Sequence, residues 1–160
     1  MVRYLVLAAA ANLLTAAAPA PAFDPLAFFT GPSRGSGHLK VMLKAPVPVR
    51  VKSVGSPDGK GGIIINQTIH EGSKPPRERR WMLHQTSATT MTGTVTGTPG
   101  LVHGRVSGNK LLLNYTMKGG MRASQILTLQ PGGRSVINRM TIKRMGVTVA
   151  RVEEVITKGD

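Results

Sequence analysis

"HLKVMLKAPVPVRVKSVGSPDGKGGIIINQTIHEG" (residues 38–72) changes character at almost every second residue. Successive side chains of an extended chain point to opposite faces, so Leu39, Val41 and Leu43 share one side and His38, Lys40 and Lys44 the other, with Met42 the exception. Val47, Val49 and Val51 repeat this against Arg50 and Lys52, and Ile63, Ile65 and Ile69 form the next apolar face. Between those runs, GSPDGKGG supplies proline, aspartate and glycine where a tight turn needs a preset φ and positive φ values. The stretch therefore predicts strands with one buried face, joined by tight turns.

The two-residue period continues to the end of the chain. Pro75 and Pro76 stop the third run because they cannot donate to a ladder, and residues 79–87 resume it. MTGTVTGT, LVHGRVSG, KLLLNYTMKG, RASQILTLQ, SVINRMTIKRM and VTVARVEEVIT follow, separated by turn residues such as Gly108-Asn109, Gly119-Gly120 and Pro131-Gly132-Gly133. No segment keeps helical spacing for three turns. About ten strands joined nearly all by hairpins predict one all-β domain over residues 23–160. A meander of this kind loses its exposed edges by closing, which predicts an antiparallel up-and-down barrel of about 8–10 strands. A β-sandwich shares the alternation and is the alternative, although it needs longer crossovers.

Residues 1–22 read differently. Arg3 precedes an apolar run from Tyr4 to about Ala18, and small residues end in Ala20-Pro21-Ala22, the pattern of a secretory signal peptide cut near Ala22. Asn12 and Thr15 interrupt the run, which falls short of the roughly 18–20 apolar residues needed to span a bilayer. The expected location is periplasmic or secreted. The chain has no cysteine, so its fold must hold without disulfides and its chemistry without thiolates.

With Lys+Arg 21 against Asp+Glu 7, the formal net charge is +14, which attracts anionic partners of any kind. Nucleic acid fits poorly, because single-strand binders interleave aromatics with their basic groups and the aromatics here are scattered. An anionic envelope surface fits better. The KPPRERR loop, with Lys74, Arg77, Arg79 and Arg80, is its expected contact.

Parity also assigns the polar residues. In RERRWMLHQT (residues 77–86), Arg79, Trp81, Leu83 and Gln85 share a face, which makes Trp81 a lumen residue with Arg79 at the rim and Arg80 in solvent. Gln67 lies with Ile65, Gln125 with Leu127, and Asn138 with Met140. Four strands each lodge one amide in an apolar face, and an unpaired buried amide costs about 1–3 kcal/mol, so these amides bond each other, water or a ligand. The expected lumen site comprises Trp81, Tyr115, Ile65 and Leu113 as walls and Gln67, Gln85, Gln125 and Asn138 as polar contacts.

Catalytic chemistry finds little material. Glu71 and Glu78 flank the proline loop as solvated charges, and Glu153 and Glu154 point to opposite faces of the last strand, so that one faces inward toward a rim arginine such as Arg79. His38, His70, His84 and His103 lie on separate strands without ligand spacing, and no cysteine completes a zinc set. No nucleophile elbow or phosphate-binding glycine loop occurs. The expectation is a non-enzymatic protein with no metal and no cofactor, the alternative being a hydrolase without a recognisable motif.

Three stretches carry a family resemblance: FDPLAFFTGPSRGSG, with Phe28, Phe29, Gly31, Gly35 and Gly37; the pair Arg79 and Trp81; and NRMTIKRMGVTVARVEEVI, with Asn138, Arg139 and Gly146. Over most of residues 23–158 the chain resembles a proteobacterial envelope family, often lipid-anchored, defined as a domain of unknown function (DUF3833). The chain departs from the lipid-anchored members by lacking a lipobox cysteine. The resemblance implies a calycin- or lipocalin-like barrel in the envelope and brings no catalytic residues. Two functional readings stay open. One is a barrel holding a lipid or other hydrophobic small molecule in its lumen; the other is a filled barrel acting as a structural adaptor on anionic envelope surfaces.

Overall fold

The structure, a computed structural model, describes residues 21–160. The leader expected over residues 1–22 therefore lies outside the described residues, apart from Pro21 and Ala22. One short helix, α1 (Pro25–Phe29), precedes ten strands: β1 (Gly31–Val41), β2 (Val47–Pro57), β3 (Gly62–Glu71), β4 (Arg77–Gln85), β5 (Thr90–Val95), β6 (Val102–Ser107), β7 (Lys110–Thr116), β8 (Arg122–Leu129), β9 (Ser135–Arg144) and β10 (Val147–Lys158). Every strand is antiparallel to its neighbour in sequence, and β10 returns to β1 from Ser33 opposite Lys158 to Val41 opposite Ala150. The sheet closes as an up-and-down barrel, and the sandwich alternative is set aside because no strand crosses over.

Two features depart from the alternation. β1 begins at Gly31, well ahead of the first apolar residue of the pattern, because Ser33 and Gly35 face inward there and neither signals a strand by hydrophobicity. Leu43, expected on the buried side, is 95% exposed and sits at φ 63 in the β1–β2 turn. The ladder ends at Val41, so parity no longer governs the side chain beyond it. At the β2–β3 turn, Asp58 Oδ1 accepts from the backbone N–H of Lys60 (2.7 Å) and of Gly62 (2.8 Å), the local bonding its side chain favours.

The strand order divides the loops between two ends. Loops β1–β2, β3–β4, β5–β6, β7–β8 and β9–β10 gather at one end, the mouth. The opposite end is plugged by α1. Asp24 caps this helix by accepting from the Ala27 N–H at 3.0 Å, and Pro25 occupies its first turn. Phe28 packs edge-on against Phe23 (5.7 Å) and Phe29 (4.9 Å), and all three rings are buried. Burying each ring stabilises the plug by about 1.5–3 kcal/mol. Two polar ties hold it in place: the Phe23 N–H donates to Gly108 O at 2.9 Å, and Lys158 Nζ donates to Ala27 O at 2.6 Å.

Inward residues do not fill the barrel evenly. Val49, Val51 and Ile69 form a cluster on β2 and β3 that stands apart from the large cluster around Trp81, Leu111, Leu113 and Met140. Outward positions carry Arg50, Lys52, Arg80, Arg105, Arg139, Lys143 and Arg151, all exposed. Each of these charges would cost about 2–4 kcal/mol at the midplane of a bilayer, so this exterior does not face lipid chains.

Candidate ligand site in the barrel lumen

The gap between the two apolar clusters is a cavity of about 300 Å³, with Phe29 at its floor and Val41, Glu71 and Arg77 near the mouth. Its walls are chiefly Leu39, Val51, Ile65, Leu83, Leu113, Leu127 and Ile156. Set into these are Gln67, Arg79, Trp81, Gln125, Asn138 and Glu154, each brought inward by strand parity. An apolar cavity with a few convergent polar groups is the usual form of a small-molecule site.

The polar groups fall into three sets. On β2–β4, Trp81 Nε1 donates to Gln67 Oε1 at 2.7 Å, and Gln67 Nε2 donates to Ser53 Oγ at 3.1 Å. That chain fixes the indole. The Arg79 guanidinium lies 5.9 Å from the centroid of the same ring, within cation–π range. On β7–β9, the Tyr115 hydroxyl reaches Gln125 Oε1 at 3.5 Å and Met140 Sδ at 3.9 Å, while its ring meets Trp81 edge-on at 5.6 Å.

The third set is the most constrained. Asn138 Nδ2 on β9 donates to Glu154 Oε2 on β10 at 3.1 Å, and both residues are buried. The Glu154 carboxylate lies against β1 where Gly35 has no side chain: a Cβ there would fall 1.7 Å from Glu154 Oε1. Asn138 Oδ1 is buried with no hydrogen-bond partner. Thr92 Oγ1, the other such atom among the described residues, is off the cavity wall.

Burial dominates the electrostatics. It pushes the Glu154 carboxyl above the ordinary glutamate range, opposed by the Asn138 hydrogen bond and by the charge of Arg79. Burial likewise raises the Tyr115 phenol, against Arg79 and Arg77. Arg79 is lowered, first by burial and then by Arg77, with Tyr115, Glu154 and Glu71 opposing. A guanidinium stays charged regardless. Arg79 and Glu154 do not form the direct ion pair expected of them; Asn138 holds the carboxylate instead.

Of the residues singled out by parity, Ile65, Gln67, Trp81, Leu113, Gln125 and Asn138 line this one cavity. Tyr115 is buried behind Trp81 and supports the wall rather than forming it. Gln85 requires correction: it lies at the plugged end of β4, exposed, beside Phe23 and Asp24, because the strand runs out of the lumen before reaching it. The expected cationic loop is also divided. Arg79 turns into the lumen, Lys74 and Arg77 both pair with Glu71 (2.5 and 3.7 Å), and Arg80 stays outside. Of the two glutamates of the last strand, Glu154 faces inward. Its parity in the sequence is that of Ala150, Val152 and Ile156.

Residues 4–158 match the family described as "Protein of unknown function (DUF3833)", and the chain belongs to it. No curated protein matches the chain. Among solved structures, the barrel is similar to the S-type phycobiliprotein lyase CPES from Guillardia theta, with a TM-score of 0.66 at 8% identity over 84% of this chain and 90% of that one. The likeness is one of fold, the closed antiparallel barrel.

Proposed function

We propose that this member of the DUF3833 family is an exported, non-enzymatic carrier that holds one small apolar molecule in its lumen, with a hydrogen-bond-donating end on Asn138 and Glu154. The single observation that carries the reading is Asn138 Oδ1, a buried acceptor left without a partner on the wall of an otherwise apolar cavity. Leaving such an atom unpaired costs about 1–3 kcal/mol, and a ligand N–H or O–H removes that cost. The cavity lies at the lower end of the roughly 300–1,000 Å³ usual for ligand pockets. Its occupant is a single ring system or one short chain, not a two-chain lipid. The separation of the β2–β3 cluster from the rest of the core supports a hollow barrel over a filled adaptor.

Trp81 makes the reading testable, because the only tryptophan of the chain lines the cavity. N-phenyl-1-naphthylamine, an apolar probe with one N–H donor, quenches Trp81 and gains fluorescence on entering the lumen. Asn138→Leu removes the acceptor and weakens binding about fivefold to tenfold, the worth of one hydrogen bond. Native mass spectrometry before and after organic extraction identifies any resident molecule. Probe binding that ignores Asn138→Leu, in preparations free of any small molecule, overturns the proposal.

A further inference from the structure

The mouth of the barrel carries a feature that the lumen does not explain. Leu43 and Met145 are each 95% exposed, the most exposed large apolar residues among those described. Both stand at hairpin tips in left-handed backbone, at φ 63 and φ 49, where glycine or asparagine is the favoured residue. Such positions ordinarily place a small or polar group in water. Here they hold up two large apolar side chains, and since β1 pairs with β10 the two tips belong to adjacent hairpins at the same end. Met42 (50% exposed) and Val147 (57%) extend the apolar surface at their bases.

Around these tips the charge is of one sign. Lys40 lies directly opposite Arg151 across the β1–β10 ladder, and Arg122 directly opposite Lys143 across β8–β9. Like charges facing one another across a ladder are destabilising. None of these four forms an ion pair among the described residues, and neither do Lys44 and Arg144 beside the tips. Asp24, Asp58 and Asp160 sit at the plugged end; the acids at the mouth, Glu71 and Glu78, belong to the β3–β4 hairpin, where Glu71 is taken up by Lys74 and Arg77 and Glu78 accepts from the Thr68 hydroxyl, and Glu153 on the outer face pairs with Arg139.

We infer that the mouth docks on an anionic phospholipid bilayer, with Leu43 and Met145 entering the headgroup–acyl boundary and Lys40, Lys44, Lys143, Arg144 and Arg151 on the headgroup phosphates. Two observations together select this partner. An anionic polymer matches the cations and gives the apolar tips nothing to bury in; a second copy of the chain matches the tips and repels the cations. A bilayer surface satisfies both. The docked orientation points the cavity mouth at the membrane, although the surface stands apart from whatever the lumen holds.

Co-sedimentation of the purified protein with vesicles tests the inference. Wild-type protein pellets with phosphatidylcholine vesicles containing about 30% phosphatidylglycerol, whose negative surface potential attracts the cations, and stays in solution with pure phosphatidylcholine. Leu43→Ser with Met145→Ser lowers anionic-vesicle affinity about tenfold. Lys143→Gln with Arg144→Gln lowers it roughly 30-fold, the effect of two cations at an anionic surface. Lys60→Gln with Lys110→Gln, at the plugged end, leaves it unchanged. All of these positions are exposed, and unchanged thermal melting shows that the variants fold. Equal binding to neutral vesicles overturns the inference, as does a serine pair that binds like wild type or a plugged-end pair that weakens binding as much as the mouth pair. Trp81 quenching by the naphthylamine probe reads the lumen separately in every variant, so failure of docking and failure of the carrier reading are distinguished.

Discussion

Gly35→Ala is the sharpest perturbation of the lumen, because the space its methyl group needs is already taken. The added carbon would fall 1.7 Å from Glu154 Oε1, 2.7 Å from its Cδ and 3.2 Å from its Cγ, so the carboxylate must swing away into the cavity. Asn138 Nδ2 then loses its acceptor, leaving both polar atoms of a buried amide unpaired. Loss of that bond costs about 1–3 kcal/mol. Against it, alanine in a strand interior is favoured over glycine by roughly 0.5–1 kcal/mol. The net expectation is a destabilisation of about 0.5–2 kcal/mol. In a Glu154→Ala background nothing occupies the space, and the same Gly35→Ala becomes neutral or stabilising by up to about 1 kcal/mol. The two sites are thus coupled by about 1–3 kcal/mol. Urea denaturation followed through Trp81 fluorescence measures each corner of the cycle, with constant m-values required for the comparison. A Gly35→Ala cost that is the same in both backgrounds refutes the packing of Glu154 against β1.

Because burial raises the Glu154 carboxyl above its unfolded value, the folded state holds its proton more tightly; that contribution to stability is complete below the ordinary glutamate pKa and is lost as pH rises through the raised one. Glu154→Gln lacks this titration, so its stability relative to wild type grows with pH across that window, and parallel pH–stability curves count against a buried carboxyl. Export with removal of residues 1–22 leaves Phe23 as the first residue, its new amino group placed to donate to Gly108 O as its amide does now. Amino-terminal sequencing of protein recovered from the periplasm or medium reads Phe23, and a retained Met1 sinks the leader assignment.

The barrel was legible because its strands obey a period of two over nearly their whole length, and Trp81, Gln67, Gln125 and Asn138 are inside for that reason alone. Parity failed where the ladder stops. Leu43 continues the apolar face of β1 in sequence, yet the hydrogen bonds that orient a strand end before it. Gln85 keeps the parity of Trp81 and has left the lumen along the strand axis, a coordinate that periodicity does not contain. The start of β1 was hidden for a different reason. Its inward positions are Ser33 and Gly35; Glu154 from the last strand of the chain fills the space beside Gly35, and such a contact between distant segments leaves no local pattern. Parity puts Arg79 on the inner face near the strand end, and its withdrawal beside Trp81 depends on a side-chain direction that alternation alone does not supply.

The polar groups of the lumen divide by how much of their bonding capacity is used. Gln67 accepts from Trp81 and donates to Ser53, so both of its ends are occupied and it serves the scaffold. Asn138 is half used, Gln125 meets only Tyr115 at the long distance of 3.5 Å, and the Arg79 guanidinium makes no hydrogen bond among the described residues beyond its stacking on Trp81. Buried polar groups with spare capacity lower stability relative to well-packed aliphatic side chains of similar volume. A barrel selected for stability alone would replace them, and natural proteins break such rules chiefly at functional sites. The spare capacity runs from Asn138 and Glu154 past Gln125 to Arg79, on facing walls of one cavity whose rim is formed by Arg77 and Glu71. A ligand that uses it lies along the lumen, with its donor end deep against β9 and β10 and its other end toward Arg79 and the mouth.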